Sequence, residues 1–489
     1  MKGYWSSDTT YSVIGNIQVP AGDTLIIEAG TTVQFDGLYS FEVNGLLTAR
    51  GSAEDSIYFT SSARTKSPGD WHGIRFNDPA DDNSILSYCV IEYGAESIYG
   101  GSFGALVNCD QANPTIEYCR IRHSLQDGIN SKSASPTIIH NDLDDLIGSG
   151  LLISNDSEPV VLRNSIRGCN GVAIFISGNS SPIIESNNIE DNVEGITVYN
   201  NGEGIVDIRD NNIHNTEMYA ILIEGSSNVT LTRNDIYFNL AGIGVMNSSP
   251  LIENNDIYNN EYDGINIMDD GSHPSITMNL IMGNSVSINS DGRPNEVSYN
   301  IMWNNQVDLS GNSPVGVGTV ITVNSNGDSI DAYFNLFQDP LLASTESENS
   351  SFLLLRTGSP CIDAGGTDLI QTDTSDIGSH PYSLTALGVV PELNTEPNAY
   401  ILSPAYPNPF NPSATIKYAL KDEALVSLRV YDLLGREVRV LVNERQPAAY
   451  HSVVWDGRDR SGRPVPSGVY ITRLVTPEFS AGIKMVLLK

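Results

Sequence analysis

The chain has 489 residues, with 26 Lys and Arg against 59 Asp and Glu, for a formal net charge of −33. An acidic surface of that strength repels polyanions over about a Debye length, which disfavours nucleic acid as a partner and repels uronate polymers unless Ca²⁺ bridges the two. No apolar run approaches the ~18 residues that a membrane span needs, and five cysteines, an odd number, cannot all pair internally. The charge is unevenly distributed. From Asn394 onward lie 12 of the basic and 9 of the acidic residues, so the preceding part carries 14 basic against 50 acidic.

In chain order, Met1-Lys2-Gly3-Tyr4-Trp5 runs straight into polar residues, with no export leader visible; read alone, that implies a cytoplasmic protein. Residues 1–113 read as a cap and irregular first repeats. Short strands such as Ile17-Gln18-Val19 and Gly30-Thr31-Thr32-Val33-Gln34-Phe35 are separated there by tight turns. Residues 94–104, with glycines at 94, 100, 101 and 104, read as a protruding loop. Cys89 and Cys119 occupy similar frames and read as small buried hydrophobes in a stack.

From Pro114 to about Trp303, within a regular region taken as 114–310, one phrase recurs eight times. An apolar residue falls at Ile121, Leu143, Ile166, Ile189, Ile213, Ile236, Ile257 and Ile281, at intervals of 21 to 24. Two residues earlier stand Cys119 and then Asn141, Asn164, Asn187, Asn211, Asn234, Asn255 and Asn279. Such a period marks a solenoid, and the absence of any helical apolar pattern excludes the helical repeat arrays. Runs such as Gly195-Ile196-Thr197-Val198-Tyr199 divide each period into three short strands. Coils then stack about 4.8 Å apart in parallel, isoleucine over isoleucine, and each turn asparagine can bond its copy in the next coil.

Residues 311–382 lose the register and close the solenoid; Asp363 and Asp376 there read as carboxylates accepting turn N–H groups. Residues 383–402, with Pro391 and Pro397, read as a linker. Residues 403–489 carry six or seven alternating strands and predict a small β-sandwich.

The repeat resembles the right-handed parallel β-helix, the fold shared by pectate lyases, polygalacturonases and many surface proteins. The fold class expected is thus all-β, a right-handed parallel β-helix followed by an Ig-like sandwich. The last segment is similar to the type A sorting domain of type IX secretion, itself like the Ig-like domain of flagellar hook-capping proteins. Tyr406-Pro407-Asn408-Pro409-Phe410-Asn411-Pro412, Tyr431-Asp432-Leu433-Leu434-Gly435, Trp455-Asp456-Gly457 and Ser467-Gly468-Val469-Tyr470 carry that likeness. It implies type IX secretion machinery as a partner and delivery to the surface or surroundings of a Gram-negative cell, against the cytoplasmic reading of the N-terminus.

Chemistry is sought where equal register stacks side chains. The residue after each repeat's apolar position is Arg122, Asp144, Arg167, Glu190, His214, Tyr237, Tyr258 and Met282. Asp144 and Glu190, with Arg167 between them, are the candidate catalytic residues, two coils and so about 10 Å apart. Arg122, His214, Tyr237 and Tyr258 are the candidate contacts to a sugar. The alternative is a solvated ladder of opposite charges. Polygalacturonase motifs are absent: there is no Gly-His-Gly and no Arg-Ile-Lys. The histidines lack zinc spacing, so no metal site is expected, and Ca²⁺ has no motif of its own. The expectation is a non-catalytic scaffold touching a polysaccharide or envelope glycan, with a polysaccharide lyase or glycoside hydrolase as the alternative.

Overall fold

The computed structural model describes residues 2–95, 104–324, 327–346, 352–362, 364, 376–380, 400–402, 413–432, 436–447, 449–477 and 479–487. It contains two compact units, Met1–Leu387 and Gly388–Lys489.

The first unit is a solenoid of three parallel sheets, each of 13 strands. Sheet one runs from Gly3–Trp5 to Glu296–Ser298, sheet two from Thr10–Val13 to Ile301–Trp303, and sheet three from Ile17–Val19 to Val307–Gly311. Each strand pairs with its counterpart one coil away, in the register the repeat predicts. Ile121 lies beside Leu143, Leu143 beside Ile166, and so on to Ile281 beside Met302. All of these side chains are buried. They join the apolar columns of the other two sheets in one continuous core.

The asparagine column forms the bend from sheet one to sheet two. In Asn211 the side-chain oxygen accepts the Asn187 N–H at 2.9 Å, while Nδ2 donates to the Ile184 carbonyl at 2.9 Å and to Asn234 Oδ1 at 3.0 Å. The same pattern repeats from Asn141 to Asn300 and ends on Asn335. It satisfies backbone groups that a corner leaves without sheet partners. The corner itself is a single residue in the left-handed region, including Tyr118 (φ 52°), His140 (φ 55°), Arg163 (φ 55°) and Arg233 (φ 52°). Each such residue carries a steric penalty of roughly 1–2 kcal/mol, which the asparagine bonds offset. A second ladder, Asn239, Asn260 and Asn284, turns sheet two into sheet three. Serines 157, 180, 226, 248 and 272, with Asn201, line the third corner.

The segment after the last coil does not simply cover the solenoid's end, as the expected cap would. Phe352, Leu353, Leu355, Cys361 and Ile377 pack with Tyr237, Tyr258, Leu280 and Met282 of sheet two in a second apolar cluster. The segment therefore runs back along the outer wall. Asp363 and most of the expected linker and loop (residues 381–399 and 96–103) lie outside the described residues.

The second unit is antiparallel. A three-stranded sheet (Ile401–Leu402, Ala414–Leu420, Ala449–Trp455) faces a four-stranded one (Ala424–Asp432, Glu437–Gln446, Gly468–Val475, Ser480–Leu487). Ile416, Tyr418, Val426, Leu428, Trp455 and Leu474 form its core. Tyr470 sits edge-on to Trp455 at 5.0 Å and donates its hydroxyl to the Pro466 carbonyl at 2.7 Å. This is the predicted small sandwich. Residues 403–412 and 433–435, which carry two of the sorting-domain motifs, lie outside the described residues.

Candidate functional site

Alternation along a strand sends every second side chain outward, so sheet two presents two columns to its surroundings. One contains Tyr58, Val90, Arg120, Asp142, Ser165, Asn188, Asn212, Asp235 and Asp256. The other holds Glu92 and then every predicted site residue: Arg122, Asp144, Arg167, Glu190, His214, Tyr237 and Tyr258. The repeat had placed all seven in one line.

Their charges are matched in pairs. Arg122 bonds Glu92 at 2.8 Å, Arg120 meets Asp142 at 3.3 Å, and Arg167 reaches Asp142 at 3.3 Å and Asp144 at 3.4 Å. Burial works against the Arg167 charge, yet Asp142, Asp144 and Glu190 raise its pKa. His214 lies 3.5 Å from Glu190, but burial outweighs that carboxylate and lowers its pKa, so the imidazole is neutral at pH 7. Asp144 and Glu190 thus flank a guanidinium rung instead of an open cleft.

The aromatic end of the column departs from expectation. Tyr237 and Tyr258 are only 5% and 7% exposed. Tyr237 stacks on His214 at 4.9 Å, and Phe352 meets both tyrosines edge-on, at 4.8 and 6.2 Å. With their faces covered by the returning segment, these rings offer no platform to a sugar. They serve the packing of that segment.

An open groove of about 580 Å³ lies at the other end of the same face, along the left-handed corner. Tyr58, Tyr88, Tyr118, Arg120, His140, Asp142, Glu54 and Asp55 line it. Tyr88 stacks on Tyr118 and Tyr118 on His140, both at 4.8 Å and within 8° of parallel. Tyr58 and Tyr118 remain 40% and 42% exposed. In the coil before Tyr88 the equivalent position is Ser56, because Cys89 pairs with Ile57. The stack therefore ends at Tyr88, with one ring face turned toward the groove. These residues stand immediately before the asparagine column, four positions before the outward column of Arg122 and Asp144.

A third set lies on the outer face of sheet three. Glu194, Tyr219 and Asp263 share a column two residues before buried Ile196, Ile221 and Ile265. Burial raises the carboxyl pKa of both Glu194 and Asp263. Glu194 accepts from Thr197 at 2.9 Å through one oxygen, and the other is buried without a hydrogen bond. The Tyr219 hydroxyl accepts from Asn266 at 2.9 Å. Residues just before a Gly-Ile pair gave no reason to single them out in the sequence.

The model of the right-handed β-helix region matches residues 72–217 and 195–337, together more than half of the chain, and the chain belongs to that family. A pectate-lyase-like β-helix model matches residues 2–134, and the FlgD Ig-like domain model matches residues 411–476. Similar solved structures include the periplasmic alginate epimerase AlgG, at 16% identity over 62% of this chain and 73% of that one, with a TM-score of 0.38. Another is the complex of XylC with xylose, at 12% identity over 99% of this chain and 100% of that one, with a TM-score of 0.38. The A-module of the Azotobacter vinelandii mannuronan C-5 epimerase AlgE4 matches at 13% identity over 64% and 88%, with a TM-score of 0.32. No curated protein matches the chain at a significant level. Among the described residues, no helix is long and apolar enough to cross a membrane.

Proposed function

We propose that the chain is an exported β-helix protein that binds a neutral glycan without cleaving it. The observation that carries this reading is the groove at Tyr88. An aromatic face abuts polar groups there, the arrangement that suits the apolar face and hydroxyl rim of a pyranose ring. Arg120, the cation that lines the groove, is already held by Asp142, and Glu54 and Asp55 add negative charge. Uronates and sulfated sugars are thereby disfavoured. The matched charges around Arg167 support a binding wall over a reaction centre.

Export rests on the C-terminal unit, whose Ig-like sandwich and sequence motifs fit a type IX sorting domain acting with that machinery, and delivery to the surface or surroundings of a Gram-negative cell follows. In this reading residues 1–113 cap and start the solenoid, 114–310 form its regular coils, 311–382 close it, 383–402 link, and 403–489 sort.

The test is affinity electrophoresis of the full chain against neutral and uronate polysaccharides, with reducing ends and unsaturated products assayed in parallel. Tyr88→Ala should weaken retention by a neutral polymer about tenfold, since removing one ring face that covers about 50–60 Å² of apolar sugar surface forfeits roughly 1.4 kcal/mol. Equal retention of Tyr88→Ala and the parent would refute the groove. A lyase or hydrolase reading has one observation in its favour, the two half-buried carboxyls with raised pKa beside Tyr219. Product release that Glu194→Gln abolishes would establish it instead.

A further inference from the structure

We propose that Asp235, Asp256, Ser379 and His380 form a proton-dependent clamp that holds the returning segment against sheet two. Asp235 and Asp256 are stacked neighbours, one coil apart. Between their carboxylates sits Ser379, whose Oγ lies 2.6 Å from Asp235 Oδ1 and 2.8 Å from Asp256 Oδ2. The Ser379 N–H donates to Asp256 Oδ1 at 2.9 Å, and His380 Nε2 stands 3.1 Å from Asp235 Oδ2. Gly378 N–H donates to the Met278 carbonyl at 2.9 Å, which fixes the segment beside them.

Counting protons makes the geometry informative. A hydroxyl has one hydrogen and cannot donate to two carboxylates. One of the two short contacts to Ser379 Oγ therefore needs a proton from the other side, carried by a carboxylic acid that donates to the serine oxygen. Asp256 is the carrier, since it is 1% exposed and Asp235 has the imidazolium as its partner. The clamp then contains one carboxylate, one carboxylic acid and one imidazolium, and is neutral in sum.

Among the described residues, His380 is the cation whose charge bears on Asp256. Cys361, which packs in the same cluster, is a buried thiol that senses the negative charge of Asp256, Asp376 and Asp328. Asn212 occupies the rung before Asp235, and Leu280 the rung after Asp256. Removing the shared proton thus leaves two stacked carboxylates facing a single hydroxyl donor, with only His380 to balance them.

The sign follows from which state holds more protons. Burial raises the Asp256 pKa to about 7, with His380 opposing and Asp235 reinforcing. Burial opposes the His380 charge, but the Asp235 bond and the Asp256 and Asp235 charges raise its pKa to about 9. Both groups bind protons more tightly in the docked state, so docking is strongest in acid. It weakens as pH rises through the acid's window, from about 4 to about 7, and again through the imidazole's, from about 6.5 to about 9.

The experiment is hydrogen exchange of the full chain, read as protection factors corrected for intrinsic pH dependence, for the amides of Gly378 and Ser379. Between pH 6 and 9 the parent should lose protection at least tenfold, since the last unit of the acid's window alone supplies one factor of ten and the imidazole's window adds to it. Asp256→Asn replaces the acid with an amide that can still donate to Ser379 Oγ, and its protection should vary much less below pH 7. A flat profile for the parent would overturn the clamp. So would an Asp256→Asn profile that matches the parent's. Should Asp256→Asn fail to dock, the carboxyl stretch of Asp256 in the parent decides: a carboxylic-acid band persisting at pH 6 supports the clamp, and a carboxylate band alone refutes it.

Discussion

Replacing Asn211 by alanine probes the device on which the solenoid depends. The side chain is 2% exposed. It accepts from the Asn187 backbone N–H and side chain, both at 2.9 Å, and its Nδ2 shares two hydrogens among the carbonyls of Ile184 and Arg209, each at 2.9 Å, and Asn234 Oδ1 at 3.0 Å. Alanine removes all five contacts. Asn187 Nδ2 keeps the Val161 carbonyl at 3.0 Å, and the Ile184 carbonyl keeps its place in the ladder between the two strands, so the group left stranded in the dry interior is the Asn187 N–H. A buried orphan costs about 1–3 kcal/mol. Coils contact only their neighbours, so the loss should appear as local opening before it appears as global unfolding. Hydrogen exchange resolved by peptide is the suitable assay. Amides of residues 184–190 and 208–214 should exchange at least about fivefold faster, the factor that 1 kcal/mol represents, while those of sheet strands near residue 60 stay unchanged. Unaltered exchange in the two flanking coils would refute the claim that the asparagine column holds the corner.

Ile213→Asp places a carboxylate in the stacked core at a fully buried position. It should cost several kcal/mol and lower the melting temperature sharply, and a melt equal to the parent's would show the register to be wrong. The five cysteines are all buried and unpaired, and burial pushes the Cys169 thiol up to about 12 and those of Cys109 and Cys361 higher. A thiol reagent at pH 8 should therefore label none of them until denaturant is added. Prompt labelling of the native chain would contradict the packing.

Much of the solenoid could be read in advance because its period acts twice. Each interval of 21 to 24 residues brings like onto like, so one regular column of isoleucine and one of asparagine fix the coil, the register and the inward face together. The second asparagine ladder and the serine corner obey the same rule, but substitutions such as Thr216 and Asn201 interrupt their columns and mask them in the sequence. The site was read less well. Equal register correctly placed Arg122, Asp144, Arg167, Glu190, His214, Tyr237 and Tyr258 in one outward line. It could not say which part of that line stays open.

That depends on contacts between residues more than ninety positions apart. Phe352 closes over Tyr237 and Tyr258, and Ser379 reaches Asp235 and Asp256, through a segment with no repeat of its own. Local periodicity is a property of neighbouring coils, and such a contact leaves no trace in it. The open ring face of Tyr88 has the same origin, since it exists only because Ser56, a small residue, lies beneath it in an irregular early coil. What the sequence determined alone was the stack, because stacking is the repeat made physical. What only the tertiary structure decided was the accessible surface, because accessibility depends on which distant segment buries its apolar side chains there.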